Sequence, residues 1–573
     1  MREKTRILPV LWATFCFLHL CASVHASDID RASRQAIDMA QDLREKNQAE
    51  RDITFYPSEN TLPLKTQEIE GADDIAFVLE EITFDGLTVL AEKELKPAWE
   101  DLIGAEVKLS DINDVAVKAT QILREKGFTL ARVVIPPQDI EAEEGHVTIQ
   151  VFEGTLNSVR VEGGSETDRI VLEHQLKSIV TGGPFNLYAL EERLRFIKKT
   201  PGYKIQSIFV AAKDKSAAAD LIIKIEGKRY ASAGLMFDNG GNRLMGNHRA
   251  GVDALIYNPV GRSKLLFANV QDHQRKHLIF NRVRQTQFVG DKGTRMYAEY
   301  LQSRSRPFLS IPMQSRFDYI NMMLMHPFVY RRGEELKLRI GVDGQNDSTR
   351  VAGVRTKKDY IRTLQIGLLY NQSHENDFWE VSALLHKGFS GVFGGKSTHL
   401  PSKQGGKNNF AYADGRAIWV HQFNETLSVA NIIGWQYAAH PLLASEEFSV
   451  GSSNYARGYD GSEIVGDSGV GGIIELRYML PIKNRYVNYV QIYTSYGAAQ
   501  THTHRKKADS LPNAYISSYA IGLRAQVIDN LAVTYELAKP VARRVALQAN
   551  KKLHHSFKVT WRSHFEKSFP KAQ

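Results

Sequence analysis

Residues 336–342 read Leu336-Lys337-Leu338-Arg339-Ile340-Gly341-Val342. Apolar side chains fall on every second position, with two cations and a glycine between them. Successive side chains of a strand point to opposite faces, so this stretch has one apolar face and one polar face. Leu364, Ile366 and Leu368 repeat the pattern. So do Phe557, Val559 and Trp561, alternating with Lys558 and Thr560. From about Lys228 to the C-terminus helical periodicity is absent, and short alternating segments are separated by Gly, Asn, Asp and Pro. Roughly 340 residues of that texture fit about sixteen strands with their turns. A soluble sandwich alternates too, but one of this length would more often split into domains. After the first 26 residues no stretch is apolar enough for a membrane-spanning helix. Only helices and closed barrels satisfy their backbone groups in lipid. The expectation for residues 228–573 is therefore a transmembrane antiparallel β-barrel of about sixteen strands.

Upstream the texture is different. Arg2, Lys4 and Arg6 precede an apolar run from Ile7 to Val24, and Val24-His25-Ala26 offers a cleavage site. Residues 1–26 are expected to be a secretory signal peptide. Both cysteines, Cys16 and Cys21, lie inside it. The mature chain then relies on burial and sheet closure instead of disulfides. Residues 27–51 read as an amphipathic helix with a thin apolar face formed by Ile29, Ala32, Ile37, Ala40 and Leu43. Residues 52–75, with Pro57 and Pro63, read as a linker.

Between linker and barrel a pattern occurs twice, over residues 76–154 and 155–227. In the first copy a strand at Phe77–Leu87 leads to helices at Ala91–Ile103 and Leu109–Lys126. Ser110 and Asp111 suit the start of the second helix and Gly127 its end. Strands at Phe128–Ile135 and His146–Phe152 follow. The second copy has Val159 and Val161, helices at Thr167–Ile179 and Leu187–Lys199, then strands at Tyr203–Val210 and Leu221–Ile225. Two β-α-α-β-β units in tandem are an internal repeat. The chain is thus multi-domain: an N-terminal helix, two α+β units and a barrel.

The formal charge of +9 is mild for 573 residues and spread along the chain. Nucleic-acid binding needs a concentrated basic face and is not expected. Gly466-Asp467-Ser468-Gly469 spells the nucleophile signature of chymotrypsin-like proteases, and Ala438-Ala439-His440 resembles their histidine motif. The histidine and serine are close in sequence, Pro441 follows the histidine, and no cysteine supports such a fold, so a triad is not expected. His502, His504, His554 and His555 lack a third ligand at metal-binding spacing. No catalytic residue, metal or cofactor is expected.

Val134-Ile135-Pro136-Pro137-Gln138-Asp139-Ile140, then Gly145 and Val147 through Phe152-Glu153-Gly154, resembles the polypeptide-transport-associated (POTRA) domain of the TpsB transporters of two-partner secretion, the ShlB/FhaC/HecB-like haemolysin secretion/activation group. In the second copy residues 212–219 replace the Pro-Gln turn. Asn258-Pro259-Val260-Gly261-Arg262-Ser263 resembles that family's first periplasmic turn, with Lys264 near its end in place of the usual acidic residue. Arg457-Gly458-Tyr459, followed by Gly466-Asp467, Gly469 and Glu475, resembles its sixth extracellular loop and the next strand.

The resemblance implies an outer-membrane transporter with its POTRA domains in the periplasm. It would recognise an unfolded secreted partner protein, of the adhesin or cytolysin class, and export it through the barrel without nucleotide, acting as a monomer among outer-membrane lipid and lipopolysaccharide. It further implies that residues 27–51 occupy the lumen at rest and that the loop carrying Arg457, Gly458 and Tyr459 folds into the barrel. An arginine there can lock to a carboxylate. Where the family places that carboxylate, this sequence has Ser495, leaving Asp467 and Glu475 as candidates. A general barrel-assembly factor and a porin-like diffusion channel are the alternatives.

Overall fold

The computed structural model describes residues 76–568, apart from short internal stretches of which 192–201, 505–512 and 542–551 are the longest. The expected signal peptide, N-terminal helix and linker lie outside the described residues. The described chain divides into two compact units, one ending at Arg229 and one spanning Tyr230–Phe565.

The first unit opens with β1 (Ala76–Asp85), β2 (Glu106–Lys108), α1 (Leu109–Glu125), β3 (Arg132–Val134) and β4 (Gly145–Phe152). They form a sheet of order β2-β1-β4-β3, in which β1 and β4 are parallel. Along α1, Ile112, Val115, Ala116, Ala119 and Leu123 recur at helical spacing. They bury against Leu79, Ile82, Val147, Ile149 and Val151, which removes their apolar area from water. The helix expected at 91–103 is instead three 3₁₀ turns, Glu92–Glu94, Lys96–Ala98 and Glu100–Leu102. Pro97 sits in the middle of that segment, where a continuous α-helix would lose a donor and suffer a ring clash. Leu95 still reaches the core. Asp111 caps α1 from its third residue, its carboxylate accepting from Lys108 N at 2.8 Å. Gly127, at φ +99°, ends the helix, and Phe128 N donates back to Leu123 O, a closure that favours glycine.

The Pro-Pro-Gln turn has a direct physical account. Strand β3 pairs with β4 only as far as Val134 opposite Gln150. Continuing that register sets Ile135 opposite Ile149 and Pro136 opposite Thr148, and Pro136 and Pro137 have no N–H to give. The Gln138 side chain takes over: its amide donates to Thr148 O at 2.8 Å and accepts from Thr148 N at 2.8 Å. It acts as a surrogate for backbone.

The second repeat contains β5 (Thr155–Gly163), α2 (Glu166–Leu176), β6 (Tyr203–Ala211) and β7 (Ala218–Asp238). A second helix starts at Leu187, and its residues beyond Glu191 lie outside the described set. Leu221, Ile223 and Ile225 of β7 pack on Leu172, Leu176, Phe185 and Leu190. The strand expected at 221–225 is one part of a 21-residue strand. Residues up to Lys228 pair with β6, and those from Ala231 pair with the strand Arg249–Tyr257.

The second unit is a closed antiparallel β-barrel of 16 strands. The last strand, His554–Ser568, pairs back onto β7. At that seam Asn239 N donates to Phe557 O at 3.2 Å, and the Asn239 amide bonds His555 O and Phe557 N at 2.7 and 2.8 Å. Burial is inverted relative to a soluble protein. Met322, Leu324, Val342, Ile366, Leu368 and Leu385 are exposed on the outer wall, whereas Arg282, Asp343, Gln345, Thr363 and Gln365 are buried inside. That is the alternation lipid and lumen demand. Short turns close one end of the barrel. Asn258 adopts φ +54° in one of them and donates its N–H to Ser263 O. The long loops 389–410 and 439–467 lie at the other end.

Asp168 of α2 ties the second repeat together. It accepts from Tyr203 OH at 2.5 Å and Lys228 Nζ at 2.7 Å, and caps its own helix through Ser165. Burial alone would raise its carboxyl, but those hydrogen bonds outweigh burial and hold it at about 2. A carboxyl whose folded pKa lies below its unfolded value near 4 stabilises the fold when ionised, here by roughly 2 kcal/mol. That contribution is complete above the unfolded value and is lost as the pH falls towards 2. Hydrogen exchange of residues 166–176 in the full chain should accelerate over that window, and Asp168→Asn should be fast at neutral pH and lack the acid limb.

Candidate functional site

The loop 439–467 turns back into the lumen, where the inward faces of four consecutive strands receive it: Ser468–Leu480, Tyr489–His502, Asn513–Ile528 and Leu531–Pro540. Arg457 lies at its tip. Its guanidinium is 2.7 Å from Glu475, 2.9 Å from Glu536 and 3.4 Å from the Ser495 hydroxyl. Glu475 also holds Arg524 at 2.7 and 2.9 Å and Arg477 at 2.6 Å. Tyr493 stacks under Arg524, 3.8 Å from guanidinium to ring centre, and donates its hydroxyl to Glu536 at 2.7 Å. Three guanidinium groups thus share two carboxylates and an aromatic face. Such charge-assisted pairs are strong where solvent is scarce, and each polar end here has a partner.

Glycines make room for the loop. Gly434, Gly471 and Gly497 lie under Tyr455, which precedes the tip at φ +65°. A Cβ at any of them would overlap the Tyr455 ring or backbone. Gly522 clears the Tyr493 ring in the same way. Gly458 is required for proximity: a Cβ there would stand 2.9 Å from Pro540 N. Its N–H donates to Ser518 Oγ at 3.2 Å. Tyr459 is buried with Phe448, Val450, Ala456, Ile464, Ala499 and Ile516.

Asp467 is not a partner of Arg457. It is fully buried and accepts from Lys403 Nζ at 2.6 Å, Leu442 N at 2.7 Å and His504 N at 2.7 Å. It therefore fastens the base of the loop to the neighbouring loops, while Lys403 also bonds Glu447. Ser468 Oγ is engaged by Ala438, accepting from its N at 2.9 Å and facing its O at 3.2 Å, a structural bridge with no place for a nucleophile. Gly466 approaches Thr501 and His502, and Gly469 approaches the Phe448 ring. Among the described residues no group of three or more His, Cys, Asp or Glu could hold a metal ion.

The remaining motif residues lie in the first repeat. Glu153 accepts from Thr88 Oγ1 at 2.6 Å and Val89 N at 2.7 Å, and also from Thr88 N, so it folds the segment after β1. Gly154, at φ +74°, runs so close to Leu130 that a Cβ would stand 2.6 Å from its carbonyl oxygen. Pro136 is half-buried, and Pro137 and Asp139 are exposed.

Glu536, Arg524, Tyr493 and Tyr455 were not singled out from sequence. A signal for Glu536 existed: Tyr535 and Leu537 are apolar and outward, which sets the acidic residue between them inward. Removing one partner of a buried ion pair costs about 3–5 kcal/mol. Glu536→Gln should therefore loosen the tip, read as faster protease cleavage within 439–467 in intact membranes with the barrel still resistant. Ser495→Asp, which adds a carboxylate beside Arg457, should restore protection to Glu536→Gln.

Comparison with known proteins agrees with this architecture. Residues 77–154 match the family model of the ShlB-type POTRA domain, and residues 321–525 match that of the haemolysin secretion/activation protein ShlB/FhaC/HecB. The heme/hemopexin transporter protein HuxB of Haemophilus influenzae (strain 86-028NP) is 22% identical over 469 residues, covering 79% of this chain and 81% of that protein. CdiB from Escherichia coli has the same fold at a TM-score of 0.71 and 16% identity, covering 94% of this chain and 99% of that one. CdiB from Acinetobacter baumannii follows at 0.64 and 17%, covering 93% and 99%. BamA from Haemophilus ducreyi lacking POTRA domains 1–3 gives 0.51 and 14%, covering 86% and 100%. The chain thus carries a ShlB-type POTRA domain and a ShlB/FhaC/HecB family domain in its barrel, the two modules of the two-partner secretion transporters of the outer membrane.

Proposed function

We propose that this chain recognises one unfolded secreted protein in the periplasm, of the adhesin or cytolysin class, and exports it through its barrel without nucleotide hydrolysis. The observation that carries this reading is the family match of residues 321–525, which spans the loop and the strands that carry Arg457, Glu475, Tyr493 and Arg524, all of the arginine cluster except Glu536. Capture would begin at open sheet edges. Strand β2 covers only Ala76–Val78 of β1, so the far end of β1 offers unpaired backbone to an extended segment. Added strands gain affinity from backbone bonds and selectivity from side-chain pockets. The Gln138 and Glu153 contacts would hold that sheet in register. Residues 27–51 would fill the lumen at rest and leave during transport. The Arg457 tip would keep the lumen wall in its transport-competent arrangement, and partner folding outside would prevent return.

Deleting the gene should abolish secretion of one large exoprotein while unrelated outer-membrane barrels stay at normal levels. A general fall in barrel levels with secretion unchanged would favour an assembly factor instead. Conduction by the barrel with no exoprotein affected would favour a diffusion channel.

A further inference from the structure

The outer wall carries an uneven charge at the loop end of the barrel. On the strand Met313–Arg331, outward apolar residues run from Ile320 through Met322 and Leu324 to Phe328. At about 3.3 Å per residue and the usual tilt, this is an apolar band of roughly 20–25 Å. Beyond the band, one outward row past Asp318 towards the long loops, the register aligns Arg304, Arg316, Ser348 and Lys358 side by side across four strands. Arg304 and Arg316 are direct cross-strand neighbours, an arrangement that costs stability when nothing negative lies over it. Asp318 neutralises Arg316 at 2.6 Å. Among the described residues, Arg304, Lys358 and Lys396 have no carboxylate partner. Lys358 and Lys396 gather on the same outward ring, Tyr360, at 4.6 and 5.3 Å.

Loop 389–410 adds an apolar tip beside this row. Arg362 Nε donates to Phe393 O at 2.9 Å. That contact holds a turn in which Phe393 is 91% exposed and adopts φ +45°. A bulky residue at positive φ is strained, and an exposed aromatic ring beside cations is the composition of a membrane interface. The feature is local. On the strands Ala411–Gln422, Leu427–Ala438, Ser468–Leu480 and Tyr489–His502, outward positions at the same end are Ala411, Tyr437, Ser468 and His502.

We propose that Arg304, Lys358 and Lys396, with Phe393 beside them, form a seat for the phosphorylated headgroup of an outer-leaflet glycolipid. The row spans three interstrand gaps, about 14 Å, which fits a headgroup bearing more than one phosphate. Arginine forks and lysine ammonium groups bind phosphate by charge-assisted bonds, and the apolar band below accepts the acyl chains. The seat lies on the wall and not in the lumen. It depends on the outer-membrane setting and not on which polypeptide is exported.

The test uses full-length protein purified in mild detergent, loaded with diphosphorylated lipid A or its dephosphorylated analogue and then washed. Retained lipid is counted by mass spectrometry. The diphosphorylated form should be retained in preference, and the triple variant Arg304→Gln, Lys358→Gln, Lys396→Gln should lose that preference by about five-fold or more. Lys539→Gln, outward on another strand, should change nothing. Equal retention of both lipids, unaltered retention by the triple variant, an equal loss in Lys539→Gln, or displacement of the lipid by millimolar inorganic phosphate would each overturn the proposal. If the triple variant fails to form a heat-resistant barrel, Lys396→Glu on the exposed loop carries the same expectation, and full retention there would count against the seat.

Discussion

Everything in this molecule follows from one constraint: inside a bilayer a backbone amide has no water to bond, so a sheet that crosses must close on itself. The closure is made where the last strand returns to β7, and the Asn239 side chain extends the ladder there by bonding backbone at His555 and Phe557. Once closed, the sheet has an apolar outside and a polar inside. An alternating sequence such as 336–342 is what supplies both from a single run of residues.

A polar lumen changes what can hold a loop in place. In a dry core, three arginines and two glutamates would be costly to desolvate, and a well-packed apolar cluster would serve stability as well or better. Here the strands already carry polar groups inward, so Arg457 is met by Glu475 and Glu536, whose charge-assisted bonds offset the desolvation of all three. The bonds are directional, and they fix the loop at one position. Glycines beneath Tyr455 let the tip approach the wall closely enough for those bonds to form. Asp467 fastens the other end of the same loop to Lys403 and to backbone, so the loop is pinned at base and tip by different chemistry.

The architecture was legible because it rests on periodicity. Alternation gives the barrel, and two tandem patterns give the repeats. Where the sequence reading departed from the structure, the causes are local and physical. Pro97 replaces a helix with 3₁₀ turns because a prolyl ring cannot sit inside an α-helical ladder. The long β7 went unseen because Gly227 beside Lys228 reads as a break, whereas the strand runs straight through it and only its pairing partner changes. The Arg457 tip could be found from its motif, but not its second carboxylate. Glu536 meets it from a strand far along the chain, and closure of the sheet, which no short motif encodes, brings the two together. Gln138 was recognisable as part of a pattern, while its role as a backbone surrogate emerges only when the β3–β4 register is known.

The most direct test of the account is to ask which face of the wall the exported chain touches. Val381 and Ser382 are consecutive on the strand Asp377–Gly388, with Val381 exposed on the outer wall and Ser382 on the inward phase. A photo-reactive residue is placed at one or the other, and a partner protein is stalled in transit by a folded domain fused to its end. Adducts with the stalled partner are expected from position 382 and none from 381. Adducts from 381 with none from 382 would mean that the chain does not pass through this lumen.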